Sequence, residues 1–283
     1  MKPILTPTNH DRDAAEMTYV YPVVSRRAGG VSVGINLNPN NACNWACVYC
    51  QVPNLVRGAA PPIHLDQLKT ELRTLLANIL HGDFMQTRVP ENARRLNDIA
   101  LSGNGEPTSA KEFVEVIDLV GKIMAEFDLI GKIKLVLITN GSLIDRPRVQ
   151  SGLRKMSALH GEIWFKLDSA TESGMRRINQ TRVSPQKQFD RLKLAASLCP
   201  TWIQTCVFAM DGEPPPETEQ AAYLALIQQL VLEKNPVRGV LLYGLARPSL
   251  QAAAPRLSAL PDSWLAQFAD KIRSFGLTVK IST

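Results

Sequence analysis

Apolar positions along this chain recur in two alternating rhythms. Six short runs, at 31–37, 98–102, 132–138, 162–167, 203–209 and 237–243, carry strand patterning. Between them lie stretches of helical spacing. In 64–80, Leu65, Leu68, Leu72, Leu75, Leu76 and Ile79 fall on one helix face. Further helices are expected over 110–127, briefly after Pro147, and over 187–198, 217–233 and 262–275, with 277–281 as a terminal strand. Strand-helix alternation of this kind predicts a parallel α/β sheet with right-handed crossovers.

The faces of the strands refine that expectation. Ile163, Phe165 and Leu167 share one face, while Lys166 and Asp168 share the other. Val33, Ile35 and Leu37 likewise oppose Ser32, Gly34, Asn36 and Asn38, and Ile99 and Leu101 oppose Ala100, Ser102 and Asn104. Ile203 and Val207 oppose Gln204 and Cys206. A sheet covered by helices on both sides is apolar on both faces. One apolar and one small, polar face instead suit a barrel wall, apolar toward the helices and polar toward a lumen.

The chain has 283 residues, 45% of them apolar and 20% charged, enough for a sizeable core and against disorder as the main state. One domain is expected over 1–283, with 1–30 as an N-terminal extension and 252–283 as a C-terminal helix and strand. No apolar run is long enough to span a bilayer, and charges interrupt the N-terminal segment where a secretory leader is apolar. A cytoplasmic protein without a membrane partner is expected. The net charge of +6 favours anionic partners.

Three of the five cysteines, Cys43, Cys47 and Cys50, form a C-x3-C-x2-C loop. In a reducing compartment, clustered thiols point to metal rather than disulfides. An electron-transfer [4Fe-4S] centre takes four thiolates. Here the next cysteine, Cys199, is far along the chain, which would leave one iron open for catalysis. Two alternatives stand beside this one. The three thiolates and His64 could close a structural zinc site, or the cysteines could pack as small hydrophobes without metal.

Further segments follow successive strands in order: Gly103-Asn104-Gly105-Glu106-Pro107, Thr139-Asn140-Gly141 and Lys166-Leu167-Asp168-Ser169. With Tyr49 before the last cysteine of the loop, this series resembles the radical SAM superfamily, Asn104 replacing one glycine of its GGEP motif. Val24-Ser25-Arg26-Arg27, Arg177-Ile178-Asn179 and, after the sixth strand, Tyr243-Gly244-Leu245-Ala246-Arg247-Pro248 make the chain similar to the subgroup of wybutosine-synthesis-related iron–sulfur oxidoreductases. The resemblance covers roughly 21–251 and implies a partial (β/α)6 TIM-like barrel holding one [4Fe-4S] cluster and S-adenosyl-L-methionine (SAM).

The implied chemistry is oxidoreductase or lyase-type: an electron from a donor such as flavodoxin or ferredoxin cleaves SAM, and the resulting 5′-deoxyadenosyl radical takes hydrogen from a substrate. The resemblance gives Cys43, Cys47 and Cys50 to iron. It gives Tyr49, Gly103, Asn104, Gly105, Glu106, Pro107, Asn140, Lys166, Asp168, Gln204, Tyr243, Gly244 and Leu245 to SAM. Glu106 is expected at the methionine amino group and Asp168 at the ribose, with a helix N-cap as the alternative role for Asp168.

The lumen residues predict a polar, anionic substrate, because unpaired amide and ammonium groups are costly in a dry pocket. Lys166 is the expected charge partner, and Lys166 and Cys206 are the catalytic candidates. A glycyl-radical activase acting on a partner protein, a tRNA-modifying enzyme, and a non-catalytic iron–sulfur or zinc binding module remain as alternatives. RNA binding would draw on Arg26, Arg27, Arg94, Arg95, Arg176, Arg177 and Arg182. No aromatic-interleaved basic stretch supports it.

Overall fold

A computed structural model describes residues 4–5, 17–25 and 29–282. Arg26 and Arg27 lie outside the described residues. Among the described residues, eight strands form one sheet in chain order: β1 (Val20–Ser25), β2 (Gly30–Ile35), β3 (Leu96–Leu101), β4 (Lys134–Thr139), β5 (Glu162–Lys166), β6 (Thr201–Cys206), β7 (Val237–Tyr243) and β8 (Val279–Ser282). From β2 to β8 every neighbouring pair is parallel. The first and last strands do not pair, so the wall is an open, partial barrel.

The sheet holds two strands beyond the six of the barrel reading. β8 is the terminal strand, shifted slightly toward the C-terminus. β1 carried no strand signal because Pro22 interrupts its apolar run. It pairs antiparallel with β2 at the sheet edge, where a missing N–H is tolerated.

The main helices are α1 (Leu65–His81), α2 (Phe84–Arg88), α3 (Phe113–Glu126), α4 (Pro147–Ala158), α5 (Glu172–Ile178), α6 (Pro185–Leu198), α7 (Glu217–Leu232) and α8 (Asp262–Arg273). The short helices α2 and α5 have too few apolar positions to show a period. α6 begins earlier than its apolar pattern suggests, because the Ser184 hydroxyl accepts from Lys187 N and Pro185 presets the first turn. Helix-facing residues Val33, Ile35, Ile99, Leu101, Leu135, Leu137, Ile163, Phe165 and Ile203 are fully buried with the inner faces of α1, α3 and α4. Among the described residues, no helix is long and apolar enough to cross a membrane.

The contact between α3 and α4 depends on Gly152. A Cβ built there would lie 2.5 Å from Cε1 of the Phe113 ring. Alanine is the better helix former by about 1 kcal/mol, but overpacking a core costs about 1–3 kcal/mol. Gly152→Ala should therefore lower the thermal midpoint. A raised midpoint would show that the Phe113 ring yields.

Candidate functional site

The cysteine loop leaves β2 and crosses the C-terminal mouth of the sheet, pinned from two sides. Val48 N donates to Ile178 O (2.8 Å) and Ala46 N to Asn179 O (3.3 Å). From the other side, Ser249 Oγ donates to Val48 O (2.7 Å), and Gln251 Nε2 donates to Cys50 O (3.1 Å) and Val52 O (2.8 Å). A small apolar cluster of Val48, Tyr49, Ile178, Cys206 and Phe208 fills the space beneath.

Cys43, Cys47 and Cys50 are partly exposed and line a cavity of about 290 Å³ at this mouth. Burial pushes the Cys43 thiol up to about 11 and the Cys47 thiol up to about 12. Binding metal there as thiolate therefore couples to release of protons. Among the described residues, no three His, Cys, Asp or Glu side chains converge on a single-ion position. His64 is exposed at the start of α1 and does not line the cavity, which weakens the zinc alternative. Cys199 is buried ahead of β6 and bonds to Gly161 O ahead of β5. It sits at the opposite end of the strands, so it is not a fourth ligand.

The Gly103–Pro107 loop is folded tightly onto the cysteine loop. A Cβ at Gly105 would lie 2.0 Å from Ala42 O, and one at Gly103 would lie 2.3 Å from Asn36 Oδ1. Both positions demand glycine for close approach. Asn104 donates from Nδ2 to Asn41 Oδ1 (2.5 Å). Glu106 is buried; its Oε1 accepts from Thr108 N, Thr108 Oγ1 and Thr139 Oγ1, and its Oε2 from Asn140 N (2.7 Å). Burial raises the Glu106 carboxyl, and these four bonds oppose the rise. The carboxylate thus ties the loop after β3 to the end of β4. Pro107 opens a 3-10 turn and is not in the cavity lining.

Lys166, at the end of β5, points into the cavity. Its Nζ donates to Tyr49 Oη and Tyr243 Oη, both at 2.9 Å, and lies 4.8 Å from the Tyr49 ring centre. Burial pulls the Lys166 ammonium down, but Tyr243 and Asp168 outweigh it and hold the group above its ordinary value. Lys166 is a fixed cation. Glu162, at the other end of the same strand, accepts from Lys134 Nζ (2.7 Å) and Trp164 Nε1 (2.9 Å). Asp168 is reached through a phenol, since Tyr49 Oη donates to Asp168 Oδ2 at 2.5 Å.

Asp168 also accepts from Asn179 Nδ2 (2.7 Å) and Cys206 N (2.9 Å). It lines a smaller cavity of about 160 Å³ next to the first, and the two cavities share Cys206. The helix cap is Thr171, whose hydroxyl accepts from Gly174 N. The cap role considered for Asp168 therefore falls to Thr171.

Of the residues expected at SAM, Tyr49, Gly103, Asn104, Gly105, Glu106, Asn140, Lys166, Gln204, Tyr243, Gly244 and Leu245 line the larger cavity. So do Ser32, Ala100, Ser102 and Cys206. Gly34 is covered on its lumen side by the Tyr21 ring, and Asn36 accepts from the Asn38 and Asn104 backbones. Two cavity residues carry no motif along the chain: Tyr21, whose Oη pairs with Ser102 Oγ at 3.0 Å, and Asp98, which accepts from Ser32 Oγ. Among the arginines considered for RNA, Arg94 donates to the Val89 and Gln86 carbonyls and Arg176 pairs with Glu172.

Two buried oxygens in the cavity wall, Asn104 Oδ1 and Gln204 Oε1, have no donor among the described residues. Unpaired acceptors, glycine-permitted loop packing and three thiols suit a polar cofactor beside a cluster. The donor set fits a [4Fe-4S] group with SAM.

A parallel partial barrel with a three-cysteine loop across its C-terminal mouth defines a cofactor-dependent barrel enzyme. Residues 37–225 match the Radical SAM superfamily, and the chain belongs to that superfamily. Its cofactors are a [4Fe-4S] cluster and SAM. A UPF0026 protein of Helicobacter pylori (strain J99) is 27% identical over 160 residues, covering 56% of this chain and 45% of that protein. A protein named GTPase Obg from Brachyspira hyodysenteriae is 30% identical over 201 residues, 70% of this chain and 25% of that protein. The chain thus spans less than half the length of these two curated relatives. Among solved structures, TYW1 with a lysine-pyruvate adduct bound superposes with a TM-score of 0.57 at 16% identity, covering 86% of this chain and 73% of that one. Spore photoproduct lyase with bound AdoMet gives 0.53 at 11% identity, covering 93% and 79%. At these identities the likeness is one of fold.

Proposed function

We propose that this chain cleaves SAM reductively at one cluster held by Cys43, Cys47 and Cys50, and abstracts hydrogen from a polar, anionic substrate in the larger cavity. Together the cluster and SAM supply hydrogen abstraction by a carbon-centred radical. The protein supplies orientation and a water-poor chamber. The observation that carries this reading is the meeting, in one cavity, of the cysteine loop, the Gly103–Pro107 loop and Lys166.

In this reading Gly103 and Gly105 admit the methionine end of SAM close to backbone, and Glu106 Oε2, with one protein donor, accepts from its amino group. Asn104 Oδ1 and Gln204 Oε1 accept from the remaining polar hydrogens, and Tyr243, Gly244 and Leu245 bound the adenine. Lys166 commits two donors to Tyr49 and Tyr243 and keeps one for a substrate carboxylate or phosphate. An external donor such as flavodoxin or ferredoxin supplies the electron.

The test is anaerobic reconstitution with iron, sulfide and dithionite, followed by SAM. The expected result is 5′-deoxyadenosine released only by cluster-loaded protein. Protein with about four irons per chain, the stoichiometry of one cubane, that releases none would overturn the reading.

A further inference from the structure

Asn179 ends α5 and is almost fully buried. Its side-chain amide nitrogen has two hydrogens and two acceptors, Cys47 Sγ at 3.3 Å and Asp168 Oδ2 at 2.7 Å. Its backbone carbonyl accepts from Ala46 N inside the cysteine loop. The donor to the Cys47 sulfur comes from the end of α5, outside the cysteine loop itself. One small residue thus touches a cluster cysteine, the loop that carries it, and the carboxylate at the end of the Lys166–Tyr49–Asp168 chain.

Resting on the proposed cluster, we infer that Asn179 is a positioning residue that sets the reduction potential of the iron–sulfur centre through its N–H···S bond to Cys47. A donor to a ligand sulfur stabilises the reduced centre more than the oxidised one, because reduction adds negative charge that spreads onto sulfur; hydrogen bonds to sulfur are among the recognised determinants of cluster potential. The bond to Asp168 holds the amide so that its second hydrogen faces Cys47. Rotation of the amide would turn its oxygen lone pairs toward the carboxylate with no hydrogen between them, which is repulsive, so the donor orientation toward sulfur is fixed.

The experiment is potentiometric titration of the reconstituted protein, followed by EPR of the reduced cluster, for wild type, Asn179→Ala and the near-isosteric Asn179→Leu. Both variants lack the donor, and leucine fills the volume if alanine weakens the fold. Each variant is expected to keep about four irons and four sulfides per chain and to shift its midpoint to more negative potential. The shift should be enough to lower the reduced-to-oxidised ratio about tenfold at a fixed poise, equivalent to about 59 mV for one electron. A cluster-loaded variant with the wild-type midpoint would overturn the inference while leaving the proposed function standing. Loss of the cluster from both variants without a fall in thermal midpoint would make Asn179 a structural support, and would also overturn it. Wild-type protein that takes up no cluster would overturn the proposed function itself.

Discussion

Replacing any one of Cys43, Cys47 or Cys50 with alanine should leave the chain without a stable [4Fe-4S] cluster and abolish SAM cleavage. Three thiolates are all that the loop offers, and its backbone is held by Ile178, Asn179, Ser249 and Gln251. A loop fixed in this way cannot shift to bring another ligand to the vacated corner. Cys199 stands at the far end of the strands, bonded to Gly161 O. Cys206 is buried against Tyr49 and Phe208 on the cavity wall. Cys199→Ala and Cys206→Ala should therefore retain about four irons per chain and the visible absorbance of the cluster. Iron and sulfide analysis after anaerobic reconstitution decides the matter. Cluster loss in Cys199→Ala, or a full cluster in Cys47→Ala, would sink the assignment of the three loop cysteines. Because burial holds the Cys43 and Cys47 thiols high, cluster assembly should also release protons, measurable in weakly buffered solution.

The parts of the fold legible in the sequence were those encoded by local period. Strands β2, β3, β5 and β6 show alternation because each has a helix-packed face and a cavity face, and Lys166, Gln204 and Cys206 could be assigned to the cavity on that ground alone, whereas β4 and β7 run apolar through consecutive positions. β1 was hidden by Pro22, and α5 by its shortness. At the site, the loops at strand ends were legible as contiguous motifs. The connections between them were not. Tyr49 and Asp168 are 119 positions apart, Lys166 and Tyr243 are 77 apart, and Cys47 and Asn179 are 132 apart. No pattern along the chain reports such contacts, since they arise where loops from separate strand ends meet over the mouth of the sheet. Glu106 is a related case. The family resemblance placed it at the methionine amino group, whereas most of its hydrogen-bonding capacity holds two loops together.

Asp168→Ala should cost both stability and SAM affinity, and the two losses have separable causes. The carboxylate accepts from Tyr49 Oη, Asn179 Nδ2 and Cys206 N. Its removal strands three donors, each worth about 1–3 kcal/mol if left unsatisfied in the interior. The adjoining smaller cavity lets water reach part of the gap, so the net loss should be about 3 kcal/mol, or roughly 6–12 °C in thermal midpoint at 2–4 °C per kcal/mol. Lys166 keeps its bonds to Tyr49 and Tyr243, but Tyr49 loses the acceptor that orients its hydroxyl. The cation then sits on a phenol free to turn. In the proposed function that disorder weakens SAM binding about tenfold or more, the effect of losing about 1.5–3 kcal/mol. Thr171→Ala is the matching control. It removes the α5 cap, costing about 1–2 kcal/mol of stability, and lies outside both cavities. Calorimetric titration of the reconstituted proteins with SAM separates the two, because Thr171→Ala should lower the melting temperature at unchanged affinity while Asp168→Ala lowers both. An Asp168→Ala protein that melts and binds like wild type would remove the Lys166–Tyr49–Asp168 chain from any role in holding the site.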